Sequence, residues 1–144
     1  MARTYYSTVF DRSAAEVWAH IRDFGHYAWA GVPGETVIEG GKPGDAVGAV
    51  RNVDLGERHI RQRLVAHSDA ERFYTYDFLD PVPFPIKDYR ATLRVTPVTD
   101  GDRAFVEWSA IFDCAEDARE HWASHLANEG FARWLGALRK SLAA

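Results

Sequence analysis

Apolar and polar side chains alternate with a period of two through most of residues 47–113, the spacing of strands that bury one face. In "VGAVRNV", Val47, Ala49, Arg51 and Val53 fall on one side. In "RHIRQRLV", Ile60, Gln62 and Leu64 share a side, while His59, Arg61 and Arg63 point the other way. Tyr74, Tyr76 and Phe78 oppose Phe73, Thr75 and Asp77. Tyr89, Ala91, Leu93 and Val95 oppose Arg90, Thr92 and Arg94, and Val106, Trp108, Ala110 and Phe112 oppose Glu107 and Ser109. Turn strings such as "LGE" and "TDGD" separate these runs and suit hairpins. The pattern predicts one antiparallel sheet with a buried face and a wet face. The wet-face charges, Arg90 and Glu107 among them, are expected to pair across strands.

The flanks carry other periods. "TYYSTVF" (Thr4–Phe10) reads as a strand. "DRSAAEVWAHIRDF" reads as a helix, with Ser13 as N-cap, Glu16 completing a capping box, and Val17, Trp18 and Ile21 as its apolar stripe. "GHYAWAGVPGE" reads as a short helical turn and loop. From about Glu116 to Leu142 apolar residues recur at spacings of three and four, which predicts a helix long enough to cover the sheet. Gly130 interrupts it and suits a close approach to the sheet or to a ligand. The order is strand, short helices, about six strands, long helix, an α+β two-layer domain spanning residues 1–144.

One stretch breaks the regularity. "FLDPVPFPIKDY" places Pro81, Pro83 and Pro85 among the apolar residues Val82, Phe84 and Ile86. Proline lacks a backbone donor and fixes φ, so a sheet interior excludes it. A connection that only reversed the chain would be shorter and more polar. This one reads as a stiff apolar lip beside the sheet, with Phe84 a candidate ligand contact.

Composition narrows the classes. A net charge of −4 argues against a general nucleic-acid binder. No apolar run approaches the roughly 20 residues of a membrane-spanning helix, so membrane insertion is not expected. The N-terminal string "MARTYYSTVF" shows no secretion signal, and Cys114 stands alone with no disulfide partner, so a cytoplasmic location is expected. Cys114 at a strand end reads as structural. Aromatic residues are abundant, with five Trp, six Tyr and eight Phe, which suits a ligand cavity as well as a core.

The strings "SAAEVWAHIRDFGHY", "GDAVGAVRNV", "RQRLVAHSDAERFYTYDF", "PFPIKDYRATLRVTP" and "VEWSAIFD", followed by the terminal helix, resemble the START/Bet v 1-like superfamily. Within it the chain is most similar to the bacterial polyketide cyclase/dehydrase-like group, which is related to the plant abscisic-acid receptors. The resemblance covers essentially the whole chain. It implies a helix-grip fold: a curved seven-stranded antiparallel sheet around a long C-terminal helix, with two short helices after the first strand. Between sheet and helix it implies a cavity for one apolar or amphipathic molecule, lined by the inward face of the strands. In the related receptors the loop matching "DPVPFPIKD" is a latch at the pocket mouth, and the loop matching "LGERH" is the opposing gate. The chain departs from the receptors at their polar anchors. Their gate is longer, their ligand-binding lysine matches the region of Gly31, and their two glutamates match Gln62 and Trp108. A hormone-receptor reading is therefore not supported.

Candidate chemistry rests on polar residues in the inward register, since a buried polar group needs a partner or a wet cavity. Gln62 either closes an internal hydrogen bond or orients a ligand oxygen. Arg51 either binds an oxyanion in the cavity or pairs with an acid at the sheet edge. His26, beside the expected rim, is a candidate general acid/base. Arg51, Gln62 and His26 are thus the candidate catalytic residues. The candidate ligand contacts are Arg51, Val53, Ile60, Gln62, Tyr74, Tyr76, Phe78, Phe84, Tyr89, Ala91 and Trp108 from the sheet and lip, with Ala127 and Phe131 from the terminal helix. His121 and His125 sit one helical turn apart but lack a third ligand, so no metal site is expected. No cofactor signature is present. The expected partner is a small hydrophobic or aromatic, polyketide-like molecule, and a homodimer is compatible with this. The enzymatic version is cyclisation or dehydration of that ligand. The alternative is a non-catalytic carrier or sensor of a lipid or hydrophobic metabolite. An interaction module would need an exposed apolar patch, and the outer face is charged instead.

Overall fold

The computed structural model describes residues 1–143. Strand β1 (Ala2–Phe10) leads through helix α1 (Ala14–Ile21) and a 3-10 turn (Ala28–Ala30) to β2 (Glu35–Ile38). Strands β3 (Val50–Asp54), β4 (His59–Ser68), β5 (Phe73–Leu79), β6 (Lys87–Val98) and β7 (Arg103–Asp113) follow. The chain closes with α2 (Arg119–His125), a π-helical turn (Leu126–Phe131) and α3 (Ala132–Ala143). The strands form one seven-stranded antiparallel sheet in the order β1-β7-β6-β5-β4-β3-β2. With the C-terminal helical segment laid across it, this is the helix-grip α+β fold.

The alternation predicts the buried face. Leu64, Tyr74, Tyr76, Ala91, Leu93, Val106, Trp108 and Phe112 are all buried. The face continues through Leu126, Phe131, Leu135 and Leu138 of the C-terminal segment. Trp108 stacks on Phe131 with ring centroids 5.1 Å apart and planes 10° apart, which ties the C-terminal segment to β7. Ser13 caps α1 as expected, its hydroxyl accepting the Glu16 amide N–H.

Three details refine the expectation. Val47 lies before β3 begins and is exposed. On the wet face the charges pair across strands as expected, but with other partners than each other: Arg90 lies 4.0 Å from Asp77 on β5, and Glu107 accepts the Tyr5 hydroxyl of β1. The register explains it, because Arg90 faces Asp77 on β5 and Ile111 on β7. The terminal helix is also not uniform. Its π-helical turn holds Gly130, where an added Cβ would come 3.3 Å from the Trp134 indole.

Two irregular connections shape the space above β3 and β4. Gly34 sits against β3, and a Cβ there would run into the Asp54 carbonyl oxygen. Glycine is required for that approach, and it holds Val32 and Pro33 beside Leu55. The second is the proline lip between β5 and β6, where Ile86 is buried while Val82 and Phe84 are half-buried.

Candidate functional site

Where the lip, the β3–β4 turn and the loop before β2 converge over the sheet, they leave a cavity of about 200 Å³. Val53, Leu55, Ile60, Gln62 and Phe78 form its sheet side. Pro83 and Phe84 of the lip, Tyr27, Val32 and Pro33 of the early loop, and Trp134 of α3 close it. The wall is almost wholly apolar. Phe84 is braced from behind by Trp122, 5.4 Å between ring centroids, and edge-on by Phe78 at 6.5 Å. A larger depression at Pro85–Lys87 and Asp113–Ala115 is open to solvent and carries the charges of Lys87 and Asp113.

Behind Gln62 lies Arg51, fully buried. The two residues are direct cross-strand partners in the β3–β4 register, so their side chains leave the same face side by side. Arg51 Nε donates to Gln62 Oε1 at 2.8 Å, and Nη2 donates to the same oxygen. Nη1 reaches the Phe24 carbonyl at 3.4 Å. The guanidinium carbon lies 3.6 Å from the Tyr27 ring centroid and 4.0 Å from that of Phe24. Among the described residues no carboxylate lies within ion-pair distance of it. Two aromatic faces and an amide oxygen thus stand where a counter-ion would otherwise be needed.

Further along the sheet the aromatic residues fill space. Trp108 Nε1 donates to the Tyr76 hydroxyl at 3.1 Å, and the Tyr76 and Tyr89 hydroxyls lie 3.4 Å apart. The Tyr74 hydroxyl is buried with no partner among the described residues. Burial raises the pKa of Tyr27, Tyr74, Tyr76 and Tyr89, against the pull of the Arg51 charge. These phenols therefore keep their protons at neutral pH and cannot serve as general bases.

The structure divides the residues singled out in the sequence. Val53, Ile60, Gln62, Phe78 and Phe84 line the cavity. Arg51 stands directly behind the wall and touches it through Gln62. Tyr74, Tyr76, Tyr89, Ala91, Trp108 and Phe131 are buried core residues that do not line it, because the large rings leave no hollow in the sheet centre. Ala127 is half-buried on the π-helical turn, away from the wall. His26 is exposed, edge-on to His20 at 5.6 Å between centroids, and borders a separate outer depression with Gly25 and Glu35–Val37. His121 and His125 stack 5.9 Å apart, but no group of three metal-binding side chains occurs among the described residues.

Tyr27, Val32, Pro33, Leu55, Pro83 and Trp134 also line the cavity, and the sequence pattern alone does not mark them as contacts. Leu55 and Pro83 lay in the two connections singled out, and Trp134 lay in the terminal apolar stripe. Tyr27, Val32 and Pro33 belong to an aperiodic loop that carries no residue-level signal.

Comparison with known proteins agrees with this fold. The family described as "Polyketide cyclase / dehydrase and lipid transport" matches residues 1–144. The solution NMR structure of a Thermobifida fusca protein is 32% identical, covers 96% of this chain and 91% of its own, and superposes with a TM-score of 0.86. Norcoclaurine synthase from Thalictrum flavum, in complex with dopamine and hydroxybenzaldehyde, is 16% identical with a TM-score of 0.73, covering 97% of this chain and 85% of its own. The di-domain ARO/CYC BexL of the BE-7585A biosynthetic pathway is 15% identical with a TM-score of 0.76, covering 99% of this chain and 46% of its own. At such identities the last two show a shared fold alone. Among curated proteins, none matches the sequence. No helix of the described residues is long and apolar enough to cross a membrane.

Proposed function

The chain belongs to the polyketide cyclase/dehydrase and lipid transport family, and from that premise we propose that it binds one small, ring-sized apolar molecule in the cavity under the proline lip. The observation that carries this reading is the apolar hollow of about 200 Å³ with Gln62 set into its wall. A cavity of about 150 Å³ holds a benzene-sized guest, while drug-sized ligands occupy about 300 Å³ or more. One aromatic ring with a short substituent therefore fits, and a folded poly-ketone chain does not fit without displacement of the lip. The same fold in norcoclaurine synthase is found in complex with two one-ring compounds, which supports a ring-sized occupant.

Such binding has two uses. In an enzyme, Gln62 backed by Arg51 polarises a ligand carbonyl for an aldol-type cyclisation or a dehydration, and the walls supply the near-attack geometry. In a carrier or sensor, the ligand is held unchanged. One observation favours the second use. Among the described residues Tyr27 is the only ionisable side chain on the wall, and burial raises its pKa, so no lining side chain there is poised to move a proton at neutral pH.

Native mass spectrometry of the purified protein, followed by titration with one-ring ketones monitored by NMR, tests the reading. Binding with the ligand recovered unchanged is the expected result. Turnover of an offered poly-β-ketone, lost in Gln62→Leu with the fold intact, would assign the enzymatic use. Failure of every one-ring compound to perturb the cavity residues would overturn both.

A further inference from the structure

Gln62 and Arg51 together decide which kind of hydrogen bond the cavity can offer. A guanidinium carries only donors. It approaches Gln62 with two N–H groups aimed at one atom, Nε at 2.8 Å and Nη2 beside it. The atom facing Arg51 must therefore be the amide oxygen, since the opposite flip would set the Nε2 hydrogens against guanidinium hydrogens. Both lone pairs of that oxygen are then occupied. The half of the amide left for the cavity is the NH₂ group, which can donate and cannot accept. The Arg51 charge sharpens this, because withdrawing density through Oε1 makes the amide N–H a stronger donor. The neighbours hold the arrangement still. Tyr27 and Phe24 clamp the guanidinium between their faces, and Arg51 and Gln62 are respectively 0% and 5% exposed. Of the other polar side chains on the wall, the Trp134 indole only donates, and the Tyr27 hydroxyl can take either role.

We infer that the cavity selects one-ring molecules bearing a hydrogen-bond acceptor oxygen, such as an aryl ketone, aldehyde or phenolate, and that Arg51 is the positioning residue that enforces this by fixing the Gln62 amide. The inference rests on the reading of the cavity as a ring-sized binding site. It adds the ligand's polar handle and the residue that determines it. Arg51 acts here without touching the ligand.

Acetophenone and isopropylbenzene, equal in heavy-atom count and similar in size, differ in that only the first carries an acceptor. Their dissociation constants are measured on the intact chain, in wild type, Gln62→Leu and Arg51→Met. Comparing ratios between proteins cancels the different water solubilities of the two compounds. In Gln62→Leu the ratio is expected to move by roughly fivefold or more against acetophenone, the size of one net hydrogen bond. In Arg51→Met it is expected to move in the same direction although Gln62 is intact, because the amide is free to turn its oxygen inward. Should Arg51→Met fail to fold, the wild-type Gln62 side-chain NH₂ resonances give an independent reading. They are expected to shift with acetophenone and not with isopropylbenzene. An unchanged ratio in Gln62→Leu, or NH₂ resonances equally indifferent to both compounds, overturns the inference while leaving the ring-binding site standing. If neither compound binds wild type, the binding-site reading fails first.

Discussion

Gly130 and Gly136 lie six residues apart in the C-terminal segment and differ in what surrounds them. A Cβ on Gly136 would meet nothing within 4 Å, and the position is exposed in α3. Gly136→Ala is therefore expected to stabilise the protein by about 0.5–1 kcal/mol, through helix propensity and a less disordered unfolded chain. A Cβ on Gly130 would press on the Trp134 indole at 3.3 Å, and that ring forms part of the cavity wall. Gly130→Ala is expected to raise stability less than Gly136→Ala and to change ring-ligand affinity, which Gly136→Ala should not do. Thermal unfolding and ligand titration on the two variants separate these effects. Other single-residue features were legible in the string itself. Ser13 announced its capping role by chemistry and spacing, and the cap is present. Arg51 and Gln62 announced an inward register by period, but not each other. Their pairing depends on which residue of β4 faces Arg51 across the strand pair, and that is a matter of register.

The lip is the element on which access to the cavity turns. Its prolines limit the backbone freedom of a loop that holds Phe84 over a hollow, so less entropy is lost in ordering it. Phe84 faces the cavity, where it lies edge-on to Phe78, and also packs against Trp122 and His125 of α2. Being half-buried, it should contribute less to stability than a fully buried phenylalanine, whose truncation costs about 3–5 kcal/mol. Phe84→Ala is expected to cost about 1–2 kcal/mol of stability and to weaken ring-ligand binding several-fold with faster exchange. Chemical denaturation and NMR line shapes measure the two quantities. A stability loss in the range of a full core phenylalanine, with ligand exchange unchanged, would make the lip core rather than lid. The sequence showed that the lip was unusual through its prolines. That Pro83 and Phe84 share a cavity wall with Val32 and Pro33 of a distant loop was not legible, because neither segment has a period to read.

Across the whole molecule, the wet face and the helix–sheet junction are held by charges that respond to acid. Glu39 accepts two hydrogen bonds from Arg61 and a third from Asn52, and these hold its pKa down to about 2 from an ordinary 4.5. Asp69 is likewise held well below its ordinary value, by Arg22 first and by the Trp18 indole second. Both carboxylates are depressed in the folded state, so from about pH 5 down through their folded-state values the unfolded chain binds more protons. Stability should be fully present above that window and fall as pH falls through it. Both groups are partly exposed, so solvent screening keeps the effect modest. The unfolding midpoint measured down an acid series is expected to drop in wild type, and Glu39→Gln should flatten part of that slope. A slope unchanged in Glu39→Gln would show that its ion pair adds nothing to acid stability.

The sequence by itself determined the sheet, its wet and dry faces, the capped first helix and the long closing helix. Each is a periodic or strictly local feature, written by the pleat, the helical turn or a cap spacing. It also carried the resemblance that implied the seventh strand and the grip of the helix. Only the tertiary structure decided how much of the dry face is hollow. Most inward residues of β5–β7 pack with Trp108, Phe131 and their neighbours and fill the space, whereas Val53 of β3, Ile60 and Gln62 of β4 and Phe78 near the end of β5 face a void. A cavity exists where side chains from distant segments fail to meet, and no local period encodes that distance. The same holds for His26, which sequence position put near the rim and the fold turned outward.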